Sequence, residues 1–569
     1  MATLNFKGKT FVQNLHLSVK YHQLIPKKDK SLTDKVSLND NLIIHGDNLM
    51  ALKALLPTYA GKVKCIYIDP PYNTGNERWV YNDNVNSPMM QEWLGKVVDK
   101  EDFTRHDKWL CMMMPRLKLL RELLREDGVI FVSIDDNEIH HIRMLMNEIF
   151  GEGNFLTTIS VQSNPRGRQS ERYFATVHEY LLVYAKNYNG CVLSGIPLTE
   201  ERIEEYKFED KNGRKYRFLG LRQRGSASKR EERPKMFYPI YVNPITNAIS
   251  LNKSSEYKIE VLPKKSTGED GRWMWSKEKV QKEIELIEAK LISKRNEWDI
   301  FVRDYLLSDE GKERTSKSKT LWIDRNLNYQ NGKDELKALF GESPFEYPKP
   351  TALLKNIISL VGDMDGIYLD SFAGSGTTAH AVLDLNKEDG GNRKFVLVEC
   401  EDYADKITAE RVRRIIKGYK KRDSSPLAQN DKEGLVGTFS YFELGDPIEM
   451  ESILEGKKLP SYLELARYIF YTATGEEFDS KKVNEKKNFI GESKDYEVYL
   501  FYKPDIEYLK STALTLDRAK NLGAYKSKKR LVFAPSKYLD LNDSELIEKH
   551  SLKGIEYCQL PFEIYKLKE

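Results

Sequence analysis

The stretch GIYLDSFAGSGTTAHAVLDLN, residues 366–386, decides how the rest of the chain is read. Ile367-Tyr368-Leu369 is apolar and β-prone, and Ala379 onward carries a helical pattern. Between them lies Asp370-Ser371-Phe372-Ala373-Gly374-Ser375-Gly376. Glycines where a strand passes into a helix permit a tight turn and close approach of the backbone to a ligand. One Gly-x-Gly is a weak signal, because a well-packed turn also uses glycine. The P-loop lysine of GxxxxGK[ST] is missing, since Thr377 follows Gly376. The turn therefore suits a nucleoside cofactor better than a triphosphate. The next apolar run, FVLVEC, ends in Glu399, placed to accept bonds from ribose hydroxyls, with Glu401 in reserve.

A second strand end lies about 300 residues earlier, in VKCIYIDPPYNTG (63–75). In an open parallel sheet, ligands bind at the carboxyl ends of strands near a switch in strand order. If the two strands are neighbours, Asp69 and Tyr72 face a cofactor held by the glycine turn, and the pair forms a two-substrate site.

The surrounding pattern supports such a sheet. NLIIHGD (41–47), KVKCIYID (62–69), GVIFVSID (128–135), NFLTTISVQS (154–163) and HEYLLVYAKN (178–187) read as strands. Helical runs separate several of them: NLMALKALLP, stopped by Pro57, then residues 106–128, then NEIHHIRMLMNEIFG, ended by Gly151. Residues 76–105 read as a long polar loop. The alternation lapses over 190–330, where SKEKVQKEIELIEAKLISKRNEW (276–298) reads as one polar helix, and resumes with TALLKNIISLV (351–361). Five strands before the lapse and two after give one doubly wound α/β sheet of seven strands, Rossmann-like, split by an insertion. The expected division is an N-terminal extension (1–40), two sheet halves (41–189 and 331–422), the inserted domain (190–330), a linker (421–434) and a small α/β C-terminal domain (435–569).

Net charge is only +4, so bulk charge does not mark a nucleic-acid binder. Residues 211–235 hold ten Lys/Arg against two Glu, dense enough to bind phosphates; a solvated surface is the other reading. Arg166 and Arg168, in NPRGRQ between two strands, stand between the same readings. The basic helix around Arg411, Arg413 and Arg414 reads as a solvated cover for the sheet. The five cysteines are scattered without a CxxC, and the histidines show no HExxH or Cys/His cluster. A reducing cytoplasm and no metal are expected, as is no transmembrane span or secretory signal.

Taken together, Asp-Pro-Pro-Tyr and Phe-x-Gly-x-Gly on a split seven-stranded sheet resemble the S-adenosylmethionine-dependent DNA amino-methyltransferases. The order is that of the permuted β class: DPPY first (69–72), the insertion next, FAGSG (372–376) late. FEYPKPTALLKNIISL (345–360) resembles the family's helix motif that precedes the cofactor turn and helps hold the cofactor. GRWMWSKEKV (271–280) and LWIDRNLNYQNGKDELKALFG (321–341) are similar to segments of Mod, the modification subunit of type III restriction–modification systems.

The resemblance implies adenine N6 as acceptor, since cytosine N4 enzymes usually carry SPPY. It implies Asp69, Pro70, Pro71 and Tyr72 as catalytic residues. Cofactor contacts would come from Asp47, Lys349, Pro350, Thr351, Asp370, Phe372, Ala373, Gly374, Gly376 and Glu399. Asp47 reads equally well as the N-cap of the helix it precedes. A base in a duplex must be flipped out to react. The insertion then becomes a target-recognition domain on double-stranded DNA, with Arg222, Arg224, Lys229 and Arg230 joining Arg166 and Arg168 as DNA contacts. A homodimer and a helicase–nuclease (restriction) partner are further implications. The competing readings are a stand-alone orphan or type II enzyme, a non-catalytic recognition subunit, and an RNA or cytosine-N4 methyltransferase.

Overall fold

The computed structural model describes residues 3–74, 105–167, 172–198, 200–225, 227–293, 295–307, 314–418, 434–447, 459–476, 478–522 and 525–539, with shorter pieces between 541 and 560. Arg168 lies outside these residues, as do the expected loop 76–105 and linker 421–434 except for their last positions. The described chain divides into two compact units, Gly195–Ser318 and the remainder, Met1–Ser194 with Lys319–Glu569.

The larger unit is built on a ten-stranded sheet. In chain order its strands are β1 (His22–Pro26), β2 (Leu42–His45), β3 (Val63–Ile68), β4 (Leu124–Ile134), β5 (Phe155–Val161), β6 (Glu179–Ala185), β7 (Leu321–Trp322), β8 (Ile367–Asp370), β9 (Lys394–Glu399) and β10 (Ser440–Pro447). They lie in the order β1-β10-β2-β9-β8-β3-β4-β6-β5-β7. From β10 to β4 every neighbour is parallel. Its longer helices are α1 (Asn48–Tyr59), α2 (Arg105–Leu123), α3 (Ile139–Phe150), α4 (Tyr329–Phe340), α5 (Thr351–Val361), α6 (Thr377–Asp389), α7 (Glu410–Lys417) and α8 (Tyr462–Thr474). All six residues of β3 are buried, the signature of a parallel strand covered on both faces.

All seven expected strands share this sheet, and β1, β7 and β10 extend it. The tail differs from the expected separate domain. Its first strand, β10, pairs in parallel with β2, and α8 buries Leu465, Ile469 and Phe470 in the sheet's own core cluster. Beyond α8 a small four-stranded sheet (489–492, 496–500, 529–534, 555–559) stays within the same unit. Helix α1 also runs through Pro57 to Tyr59 rather than stopping. A proline so close to the helix end removes little of the hydrogen-bond ladder.

The smaller unit corrects another expectation. Residues 276–298 do not form one helix. After a short helix, Lys277–Lys282, the chain turns into strand Ile287–Ile292, paired antiparallel with Glu297–Tyr305. Glu and Lys favour a helix locally, but Ile287 and Ala289 alternate into a core with Ile300, Val302 and the fully buried Trp273.

Candidate active site

β8 and β3 are direct neighbours, pairing Leu369 with Ile66. DPPY and the glycine turn therefore leave adjacent parallel strands at the same sheet edge.

On the DPPY side, charged groups set the geometry. Lys349, from the segment before α5, points its ammonium at three groups. Nζ lies 3.3 Å from Asp69 Oδ1, donates to Tyr72 Oη at 2.7 Å, and sits 2.8 Å from both oxygens of Glu179. Tyr72 in turn donates to Glu179 Oε2 at 3.0 Å. Burial pushes the Asp69 carboxyl above the usual carboxylate range; Lys349 opposes the rise and Glu179 adds to it. Burial acts to lower the Lys349 ammonium, but Asp69 and Glu179 outweigh it and hold it above the lysine range. Asp69 Oδ1 makes no well-formed hydrogen bond among the described residues and keeps capacity to accept one. The Pro71 carbonyl accepts from Trp109 Nε1 at 2.7 Å, which fixes the turn against α2.

On the other side, backbone groups set the geometry. The Gly374 N–H donates to Glu399 Oε2 at 2.7 Å, and the Cys400 and Glu401 N–H groups donate to Oε1 at 2.9 and 3.1 Å. Asp370 accepts from the Phe372 N–H at 3.0 Å and from Thr378 Oγ1 at 2.6 Å, and burial raises its carboxyl to about 7. Phe372 and Ala373 are buried in the turn. Gly376 has φ of 78°, and a Cβ there would lie 3.1 Å from the Thr408 carbonyl oxygen.

Lys349 joins the halves, because its backbone carbonyl accepts from Thr377 Oγ1 at 3.1 Å. Pro350 directly precedes α5. Thr351 is held by Glu335 of α4, through its N–H at 3.1 Å and its hydroxyl at 2.5 Å. Gly332 of α4 lets that helix approach; a Cβ would collide with the Pro348 carbonyl.

Several expectations change here. Lys349, expected at the cofactor, places its side chain with Asp69 and Tyr72. Glu399 is 1% exposed and already braces three N–H groups. Asp47 takes the capping role at α1, one of its two readings, accepting from Leu49 and Met50 N–H. Arg411 is not a solvated helix residue: it is fully buried, donating to Ser375, Thr377, Glu335 and Thr351. Its neighbour Val412 is apolar, and that mixed pattern was the available signal. Glu179 and Trp109 were also missed; an acid opening the apolar run EYLLVYA hinted at the first. His106, Glu138 and His141, where no metal cluster was expected, meet with ligand atoms within 4.8 Å of one another.

Arg166 is exposed on the β5–β6 connection. In the smaller unit Arg224 and Lys229 are exposed, Arg222 donates to the Lys264 carbonyl, and Arg230 pairs with Asp270 at 2.9 Å.

A sheet edge carrying an acid–proline–proline–tyrosine turn beside a glycine turn defines a two-substrate transferase site. The comparisons agree: the DNA methylase family profile (N6_N4_Mtase) matches residues 63–410, and the chain belongs to that family. The type II methyltransferase M.KpnI of Klebsiella pneumoniae is 36% identical, over 65% of this chain and 82% of its own length. The EcoPI Mod subunit of Escherichia phage P1, from a type III restriction–modification enzyme, is 35% identical over 71% of this chain and 64% of its own. The StyLTI Mod subunit of Salmonella typhimurium is 31% identical over 75% and 64%. The chain thus spans just under two thirds of these Mod subunits.

The cofactor of the family is S-adenosylmethionine. The turn fits a nucleoside of this kind. Its glycines permit close approach, and the buried Ser371 Oγ has no hydrogen-bond partner among the described residues.

Among the described residues no helix is long and apolar enough to cross a membrane.

Proposed function

We propose that this chain transfers a methyl group from S-adenosylmethionine to adenine N6 in flipped-out double-stranded DNA, as a type III modification subunit. The observation that carries this is the adjacency of DPPY and FAGSG on paired parallel strands, bridged by Lys349.

An exocyclic amine is a poor nucleophile, because its lone pair is delocalised into the base. Asp69 accepts a hydrogen bond from one amine N–H and the Pro70 carbonyl from the other, favouring a more pyramidal nitrogen. Pro70 and Pro71 fix φ, so both acceptors stand in place before substrate arrives. Tyr72 stacks on the base, its hydroxyl pinned by Lys349 and Glu179. Asp370, Phe372, Gly374, Gly376 and Glu399 shape the cofactor pocket, with Pro350 and Thr351 at its wall. When bound, S-adenosylmethionine supplies an activated methyl on a sulfonium, so the protein's main task is alignment. Arg166 and the exposed Arg224 and Lys229 meet DNA phosphates, while Arg222 and Arg230 shape the surface around them.

The test is incubation with labelled S-adenosylmethionine and mixed-sequence DNA, followed by nucleoside analysis. N6-methyladenine is expected; folded protein that yields none refutes the proposal, and N4-methylcytosine would reassign the base. A second reading is a stand-alone type II enzyme, favoured by the fuller coverage of M.KpnI. Light scattering, alone and after co-expression with a candidate helicase–nuclease subunit, separates the two and reports whether the chain forms the homodimer we propose.

A further inference from the structure

Behind the DPPY turn lies a buried knot that the reaction scheme above does not use. Glu138, fully buried, closes the acidic turn IDDNE (134–138) just before α3. It stands at the helix N-cap but makes no capping bond with its side chain. Its Oε1 instead accepts from Asn73 Nδ2 at 2.5 Å and lies 2.7 Å from His106 Nδ1. Oε2 lies 2.7 Å from His141 Nδ1. Asn73 follows Tyr72 directly and has φ of 53°, the left-handed region. Asparagine is among the few non-glycine residues that visit this region, and it does so where its side chain finds local hydrogen bonds. Asn73 also donates to the Arg105 carbonyl at 3.2 Å, at the start of α2. One carboxylate therefore ties the end of the DPPY turn to the starts of α2 and α3.

We propose that Glu138 is a positioning residue for the methyl acceptor, acting through Asn73. It keeps Asn73 left-handed, and so fixes where the chain leaves Tyr72 and how that ring meets the base. The inference rests on the methyltransferase reading.

A metal centre is the competing use of the same three side chains, and the distances speak against it. Two ligands about 2.0–2.1 Å from a tetrahedral zinc stand roughly 3.3 Å apart. Here each imidazole Nδ1 sits 2.7 Å from a carboxylate oxygen, hydrogen-bonding range, so both pairs would have to open.

The experiment compares Glu138→Ala, Glu138→Gln, Asn73→Ala and the double alanine variant. On mixed-sequence DNA, each single alanine change should lower kcat by about tenfold or more. The double variant should be no worse than the poorer single one, because both break the same link. The dissociation constant for S-adenosylmethionine, measured by calorimetry, should stay within about twofold, since among the described residues no bond of the knot reaches the glycine turn. Glu138→Gln keeps an acceptor for Asn73 and should recover most of kcat. Fully additive losses, or a lower melting temperature with unchanged kcat, would overturn the proposal. Loss of wild-type activity on chelation with recovery on adding zinc would make the knot a metal centre instead. If the wild type transfers no methyl group, the functional reading fails by itself. The positioning claim is then decided by crystal structures of wild type and Glu138→Ala: Asn73 leaving positive φ supports it, and an unmoved Asn73 refutes it.

Discussion

The two turns that make the site are held in opposite ways. The DPPY turn is fixed by ionisable side chains, with Lys349 shared among Asp69, Tyr72 and Glu179. The glycine turn is fixed by its own N–H groups on Glu399 and Asp370, and by left-handed glycines. In the proposed reaction the first would bond a neutral amine and then release a methylated product, which suits acceptors tuned by charge, and the second would grip the cofactor by shape. Damage to the first turn should appear in kcat and its pH dependence, and damage to the second in cofactor affinity and stability.

The sharpest break of this contrast is Asp69→Ala. Without the carboxylate acceptor, methyl transfer should fall by about a thousandfold or more. Binding of S-adenosylmethionine, measured by calorimetry, should change little. Equal losses in both would show that the two turns do not work separately.

Lys349→Met comes next, with a loss of about tenfold to a hundredfold in kcat. Its sign with pH is set by the charges. Removing the ammonium takes away the group opposing the rise of the Asp69 carboxyl, so that carboxyl goes higher still. In the proposed reaction the ionised Asp69 carboxylate is the stronger acceptor for the amine N–H, so transfer should fall as the carboxyl takes up its proton. The acid limb of the kcat–pH profile should therefore move to higher pH. An unmoved limb would remove Lys349 from the electrostatics of the acceptor side.

Gly376→Ala probes the other turn. The added Cβ meets the Thr408 carbonyl oxygen at 3.1 Å, in a backbone with φ of 78°. A strain of about 1–2 kcal/mol, carried into binding, weakens the cofactor by roughly tenfold. With saturating cofactor kcat should largely recover, which it should not in either variant above.

How much of this was legible in the sequence follows the same division. Both turns could be read because each is local: a strand end, then prolines or glycines, then a helix. Their adjacency stayed conditional in the sequence, and the strand order of the folded sheet supplies it. Glu179, Trp109, Glu138 and Arg411 could not be read in the same way, because each arrives from a distant element and acts through burial. Arg411 was hidden by its basic neighbours Arg413 and Arg414, and only the fold separates the buried guanidinium from the outer ones. The hairpin at 287–305 was hidden by helix-favouring Glu and Lys, until pairing with a partner strand outweighed local propensity. β10 escaped notice because it is a single strand beyond the linker, far along the chain from β9, recruited to the sheet by β2 and β1.

The smallest expected effect concerns stability. Asp370 is buried under the glycine turn with its carboxyl raised to about 7, chiefly by burial, against an ordinary value of 3.8. Its folded value lies above its unfolded one, so the folded state binds the extra proton. The contribution is fully present below the unfolded value and is lost as pH rises through about 7. Asp370→Asn is neutral at every pH and keeps an acceptor for Thr378 or the Phe372 N–H. The difference in melting temperature, variant minus wild type, should therefore grow by a few degrees from about pH 5 to about pH 8. A difference that stays constant across that range would mean that Asp370 is ionised throughout, and that the glycine turn, like its neighbour, is held by a charge.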